Sequence, residues 1–278
     1  MTQFHKAKKS LGQNFLVDSQ VARRVVDSVD SIGNATVIEI GAGFGALTEH
    51  LLESARELIA IEVDTELVMG LQKRFGSSDR FSVLGVDALK VDFCSLISPG
   101  HSVSIVANLP YYISTPILQR LIQQRGCLTE LVLMLQREVI DRIIAQPGNS
   151  ERGYFSVLVQ AFCNVEPLFD VPPTAFKPVP KVWSSVARFR FQRNLELKRD
   201  QEPFFKSLLS ASFAQKRKTI LNNLRAAPPP LTRVFEEQGG DAAVLERALI
   251  DPRARAESLT LMDWQRLLNV ILPETIPD

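Results

Sequence analysis

At 278 residues, 45% hydrophobic and 23% charged with a formal net charge of +1, the chain suits a soluble protein with one large domain and a small one. No apolar run approaches the roughly 20 residues that span a bilayer, and residues 1–6 lack the apolar stretch and cleavage site of a signal peptide, so no membrane association and a cytoplasmic location are expected. Cys94, Cys127 and Cys163 show neither C-x-x-C spacing nor an even count, and His5, His50 and His101 form no spaced cluster; free buried thiols and no metal site are expected.

In chain order, Thr36-Val37-Ile38-Glu39-Ile40 is a β-branched run that stops at Gly41, and helical spacing follows over 46–55. A second strand over 58–63 leads to a helix over 66–75, and strands follow over 81–84 and 103–106. Thr115-Pro116 opens a helix, Thr as N-cap and Pro in the first turn. Leu131-Val132-Leu133-Met134-Leu135 reads as a central strand buried on both faces, and strands over 165–171 and 182–191 complete the set. This alternation predicts a doubly wound α/β sheet with ligands beyond the carboxyl ends of its strands.

After about Arg193 only short helices are predicted, over 203–213, 218–224, 232–237, 243–249 and 260–270, punctuated by Pro228-Pro229-Pro230 and Gly239-Gly240. A boundary within 192–200 divides the chain into 1–193 and a helical 194–278. From Val171 to Arg225 twelve Lys/Arg face three acids; that local excess suits a polyanionic partner, or else a solvated helix face.

Glu39-Ile40-Gly41-Ala42-Gly43-Phe44-Gly45-Ala46 lies where strand passes to helix, and its glycines let a ligand approach the backbone. Glu62, 19 residues beyond Gly43 at the end of the second strand, is placed to grip ribose hydroxyls. This fits a nicotinamide dinucleotide and S-adenosylmethionine equally. Val86-Asp87-Ala88 ends the third strand, where Asp87 can accept an adenine amine or simply cap a helix.

Asn108-Leu109-Pro110-Tyr111 follows the fourth strand at the same edge. These residues suit methylation of an exocyclic amine whose lone pair is delocalised into a purine. The Asn108 amide oxygen and a main-chain carbonyl can accept its two N–H groups and free the lone pair. Pro110 fixes the turn, and Tyr111 offers a face for an extruded base.

At this station N-L-P-Y resembles the amino-methyltransferase motif of adenine methyltransferases. Four further blocks narrow the resemblance to the ribosomal RNA adenine dimethyltransferases. They are Lys9-Ser10-Leu11-Gly12-Gln13-Asn14-Phe15-Leu16, Gln136-Arg137-Glu138-Val139, Phe176-x-Pro178-x-Pro180-Lys181-Val182 and Phe213-x-Gln215-Lys216-Arg217-Lys218. The likeness runs from about Lys8 to Leu268 and is strongest to the small-subunit members. It implies a Rossmann-like class I methyltransferase sheet with a small C-terminal all-helical domain, S-adenosylmethionine as cofactor, and dimethylation of two adjacent adenines near the 3′ end of small-subunit RNA.

The resemblance also implies roles. Asn14 and Leu16 would close over the cofactor's methionine end above Gly41 and Gly43, Glu62 would hold its ribose, and Asp87 with Ala88 its adenine. Asn108 with the Leu109 carbonyl would orient the target amine, Pro110 would shape the turn, and Tyr111 and Phe176 would take opposite faces of the target base. Lys181, Lys216, Arg217 and Lys218 would follow the RNA backbone. Val86 stands where the family usually has Gly. A monomer acting on a partly assembled small subunit is expected.

A large-subunit RNA adenine methyltransferase of the antibiotic-resistance kind shares the catalytic motif, but Arg255-Ala256-Glu257-Ser258-Leu259-Thr260 and the Phe213–Lys218 block resemble the small-subunit enzymes. A DNA adenine methyltransferase usually has a separate target-recognition region, and none is evident. A nicotinamide oxidoreductase leaves Asn108–Tyr111 without a role. A binding factor in ribosome assembly is the reading from another class.

Overall fold

The structure, a computed structural model, describes residues 13–30, 32–97, 103–192 and 194–272. After a two-residue strand β1 (Phe15–Leu16) and helix α1 (Ser19–Asp27) come β2 (Thr36–Ile40), α2 (Ala46–Ser54), β3 (Glu57–Glu62), α3 (Thr65–Phe75) and β4 (Phe81–Gly85). Then follow β5 (Val103–Asn108), α4 (Ser114–Gln123), β6 (Glu130–Gln136), α5 (Arg137–Ile144) and α6 (Tyr154–Phe162). Three strands, β7 (Cys163–Val171), β8 (Phe176–Lys177) and β9 (Ser184–Phe191), close the α/β part. The rest is helical: α7 (Glu202–Ser212), α8 (Ile220–Arg225), α9 (Pro229–Glu237), α10 (Asp241–Arg247) and α11 (Leu261–Ile271).

Seven strands form one sheet in the order β4-β3-β2-β5-β6-β9-β7, and β1 pairs with β8 apart from it. The strands β2 to β6 run parallel and β9 runs antiparallel to β6. All five residues of β2 are buried, as a strand covered on both faces requires. Val37, Leu58, Ala60, Val106, Val132 and Met134 share one buried cluster with Val21 and Val25 of α1, Leu47 and Leu51 of α2, and Leu71 and Phe75 of α3. The alternate residues Ile38, Ile59, Ile105 and Leu133 are buried as well. Chain order reverses between β2 and β5, and the crevice beyond such a reversal is where doubly wound sheets bind ligands.

The chain folds as two compact units, residues 1–140 with 164–191, and 141–163 with 192–278. Residues 141–163, which the predicted boundary leaves with the sheet, belong with the helical unit. That unit buries Phe205, Phe235 and Trp264 almost completely. No helix among the described residues is long and apolar enough to cross a membrane.

Three expectations need correction. Cys94 and Cys127 form a disulfide across 33 residues, and Cys163 is a buried cysteine outside it; only the fold brings the pair together, by setting the turn at Cys94–Leu96 beside the end of α4. The N-cap of α4 is Ile113, not Thr115, and the Ser114 hydroxyl donates to the Tyr111 carbonyl at 2.9 Å. Helices α1, α5 and α6 have no counterpart among the elements predicted from sequence; α6 is apolar almost throughout and lacks the periodicity that betrays a helix.

Gly45 begins α2 at φ 83°, and a Cβ there would lie 2.6 Å from the buried Phe75 ring. Gly45→Ala is expected to cost about 3 kcal/mol, combining left-handed strain with overpacking, read as a lower urea midpoint with unchanged slope.

Candidate active site

Beyond the ends of β2 and β5 the backbone turns on Gly41 (φ 75°) and Gly43 (φ 58°), both in the left-handed region that side chains avoid. A Cβ on Gly41 would sit 3.7 Å from the Asn108 carbonyl, and one on Gly43 only 3.1 Å from the Phe15 ring. Gly43 thus lets the β1 segment close against the turn, whereas at Gly41 the contact is ordinary and the left-handed φ is what favours glycine. Glu62, at the end of β3, holds the turn in place. Its Oε2 accepts the Gly43 N–H at 3.0 Å, and its Oε1 accepts those of Val63 and Asp64 at 2.9 and 3.0 Å. A carboxylate has about four lone-pair sites, so one remains for a ligand hydroxyl.

Glu39 belongs to the glycine-turn motif but has no role predicted from sequence. It is 1% exposed, lines the same cavity and accepts the Thr48 hydroxyl at 2.6 Å. Burial, reinforced by the nearby Glu62 carboxylate, raises its pKa to about 8 despite the Thr48 hydrogen bond, so at neutral pH it is mostly uncharged. The available signal is a lone acid inside the apolar run T-V-I-E-I.

Asn108 ends β5, where its Nδ2 donates to the Asn14 carbonyl at 3.2 Å. That bond commits the NH2 group and leaves Oδ1 as the acceptor. The Leu109 N–H donates to the Met134 carbonyl at 3.2 Å, pinning the turn to β6. Tyr111 and Ser184 share a hydrogen bond between hydroxyls at 3.2 Å. Leu16 pairs with Phe176 and Phe15 with Lys177 in the β1–β8 ladder, which joins the N-terminal segment to the Phe176 wall. Phe176 is 2% exposed and belongs to the core cluster while lining the cavity. The earlier part of the N-terminal block, Lys9 to Gly12, lies outside the described residues.

Asp87 caps a short turn, its Oδ1 accepting the Leu89 N–H at 3.0 Å; Oδ2 remains for a ligand. One cavity of about 260 Å³ collects Asn14, Leu16, Gly41, Gly43, Glu62 and Asp87 with Ala88, Asn108, Leu109, Pro110, Tyr111 and Phe176. It adds Phe15, Phe44 and Tyr112, for which the sequence predicts no function; the Phe15 and Phe44 ring centroids are 4.4 Å apart.

The cations fall elsewhere. Lys181 is exposed in the sheet unit but does not line the cavity. Lys216, Arg217 and Lys218 are exposed on the turn between α7 and α8 in the helical unit, so they are not a helix face. Buried Asn223 shapes that turn: its Nδ2 donates to the carbonyls of Ser212 (2.8 Å) and Gln215 (3.1 Å), and its Oδ1 accepts the Gln215 N–H at 3.1 Å. Arg188 and Arg190 are not free for a polyanion, because both pair with Asp30 and Glu166.

Sheet order and a cavity at the reversal point define the class: the protein is a class I methyltransferase in architecture. Its sequence carries the assignment further. The model of the ribosomal RNA adenine dimethylase family matches residues 4–266. A ribosomal RNA small subunit methyltransferase A from Geobacillus sp. (strain WCH70) is 39% identical over 268 residues, covering 95% of this chain and 91% of that protein. A crystal structure of a dimethyladenosine transferase from Plasmodium falciparum superposes with a TM-score of 0.76 at 25% identity, over 91% of this chain and 96% of that one. The chain belongs to the ribosomal RNA adenine dimethylase family. The 23S rRNA methyltransferase ErmE shares the fold, with a TM-score of 0.67 at 23% identity over 93% of this chain and 99% of that one.

Because folding raises the Glu39 pKa from 4.5 to about 8, its contribution to stability is complete below pH 4.5 and falls away as pH rises toward 8. Gln at this position keeps the Thr48 hydrogen bond and cannot ionise. Urea midpoints between pH 5 and 8 are therefore expected to fall more steeply for the wild type than for Glu39→Gln; parallel slopes would rule out the buried-acid account.

Proposed function

We propose that the protein transfers methyl groups from S-adenosylmethionine to N6 of two adjacent adenines near the 3′ end of small-subunit ribosomal RNA, giving N6,N6-dimethyladenosines during subunit maturation. The observation that carries this reading is the Asn108 amide. Its NH2 group is held by the Asn14 carbonyl, so its oxygen faces a substrate as an acceptor. Whole-length similarity to a protein named for small-subunit methylation supports the small subunit over the large one.

The residues present fit the cofactor. Glycines 41 and 43 line the cavity and carry no side chain into it, and Glu62 and Asp87 each keep acceptor capacity near the ends of their strands. On this reading Glu62 takes the ribose hydroxyls, Asp87 beside Ala88 takes the cofactor's adenine amine, and Asn14 and Leu16 cover the methionine end. Bound S-adenosylmethionine supplies an electrophilic methyl on a sulfonium. Asn108 Oδ1 and the Leu109 carbonyl accept the two N–H groups of the target amine, drawing its lone pair out of the ring and toward the methyl. Pro110 adds no competing N–H, and Tyr111 and Phe176 bracket the base. The alkylated amine loses its proton readily, so no strong base is required.

On this reading the sheet unit, residues 1–140 with 164–191, is catalytic, and the helical unit recognises RNA. Lys181, Lys216, Arg217 and Lys218 track phosphates. The enzyme works as a cytoplasmic monomer on a partly assembled small subunit.

Labelled S-adenosylmethionine with small subunits lacking the modification is expected to place up to four methyls on two adjacent adenines; label confined to large subunits would overturn the assignment. Asn108→Ala is expected to slow transfer by about 10²- to 10³-fold, as for loss of one transition-state hydrogen bond, with RNA affinity changed only a few-fold. Charge reversal at Lys216, Arg217 and Lys218 should weaken RNA binding and flatten its logarithmic salt dependence by about 0.7–0.9 for each phosphate left unneutralised, with cofactor affinity unchanged in calorimetry.

A further inference from the structure

Trp183 has no place in the machinery described so far. It is 48% exposed, whereas the chain's other tryptophan, Trp264, is fully buried. Trp183 does not line the cavity, and an indole left this open offers a large rigid face to something outside the protein. Its backbone is well fixed, because the Trp183 carbonyl accepts the Arg137 N–H at 3.0 Å. The next residue, Ser184, is buried, lies opposite Gln136 at the carboxyl end of β6, and meets the Tyr111 hydroxyl at 3.2 Å.

Strand register locates Trp183 relative to the chemistry. Asn108 pairs with Met134 of β6, and Met134 pairs with Val186 of β9. Trp183 is three residues beyond Val186 in the direction in which β5 and β6 end, so it extends about 10 Å past the level of Asn108. It therefore stands at the ligand-bearing edge of the sheet, on the far side of the Tyr111–Ser184 contact from the glycine turn. Lys181, two residues away, is exposed.

We propose that Trp183 is a second base-binding subsite: its indole stacks on the unpaired purine next to the adenine held at Asn108, and Lys181 meets the intervening phosphate. This rests on the RNA-methylating reading above and adds a subsite to it. Two adjacent target bases in one strand need such a place, for when one occupies the cavity the other must be unstacked from it and held nearby. An aromatic face with a neighbouring cation suits that ligand, since every base has a π face and each nucleotide step carries a phosphate. A protein partner would bury the ring too, but would not respond to removal of a single base.

The test uses the intact protein and a short single-stranded RNA with two adjacent adenines, alongside the same RNA with one or the other adenine made abasic. Trp264 is shielded, so a change in tryptophan emission reports Trp183. Quenching by the intact RNA is expected in the wild type, and calorimetry, which needs no indole, should show about tenfold weaker binding for Trp183→Leu, which keeps apolar bulk without a π face. Trp183→Phe should bind within about twofold of the wild type, and removing the neighbouring base should cost the wild type about tenfold and Trp183→Leu nothing further. Wild-type affinity in Trp183→Leu, or equal loss from the abasic RNA in both proteins, overturns the subsite. Methyl transfer by the unaltered protein to small subunits, run in parallel, tells the two ideas apart. Transfer without these binding effects defeats the subsite alone, and no transfer defeats the parent reading.

Discussion

The site depends on the Glu62 carboxylate. Three backbone N–H groups converge on it, one from the glycine turn after β2 and two from the chain leaving β3. The regular ladder between these strands ends with the Gly41 N–H on the Ile61 carbonyl at 2.8 Å, and past that point Glu62 takes over the tie between turn and strand end. Without it the buried Gly43 N–H would lack this acceptor, a loss that costs about 1–3 kcal/mol for a buried donor. The left-handed glycines make the turn possible, and Glu62 fastens it to the end of β3. The same side chain thus builds the floor of the site and keeps one acceptor position for a ligand.

A second tie runs from Asn108 to the N-terminal segment. Its hydrogen bond to the Asn14 carbonyl spans 94 residues, and the β1–β8 ladder fastens the same segment to Phe176. A free amide could present either its oxygen or its nitrogen to the cavity. Committing the nitrogen to Asn14 settles which, so the segment covering the site also sets the polarity of the group at its centre.

The sheet was legible because parallel strands buried on both faces are written as apolar runs. Thr36 to Ile40 and Leu131 to Leu135 need no tertiary information to be read as strands. That the glycine turn, Glu62, Asp87 and Asn108 share one edge was legible for a related reason: each lies at or just past a strand end. Part of what escaped depended on long-range packing, whereas α1, with its Asp18 cap and apolar stripe, carries its signal locally. Helix α6 has no amphipathic stripe because most of it is buried, and β1 and β8 are two residues each, too short for any pattern. The Cys94–Cys127 pairing and the grip of Asn223 on the basic turn exist only once separate segments meet. Glu39 was visible as a letter, but its neutrality comes from burial beside Glu62, a property of the folded site.

That neutrality has a chemical logic on the proposed reaction. Bound S-adenosylmethionine would bring one positive charge to the site, and methyl transfer would relocate that charge without changing the total. A second ionised carboxylate beside Glu62 would hold the starting sulfonium more tightly, and binding that favours the ground state raises the barrier it must later cross. Neutral acceptors at the amine would act in the opposite sense: the Asn108 oxygen and a main-chain carbonyl would interact more strongly as positive charge built on nitrogen. On the proposed reaction, a largely protonated Glu39 and an amide at 108 would belong to the same electrostatic arrangement, with uncharged oxygens facing the developing charge.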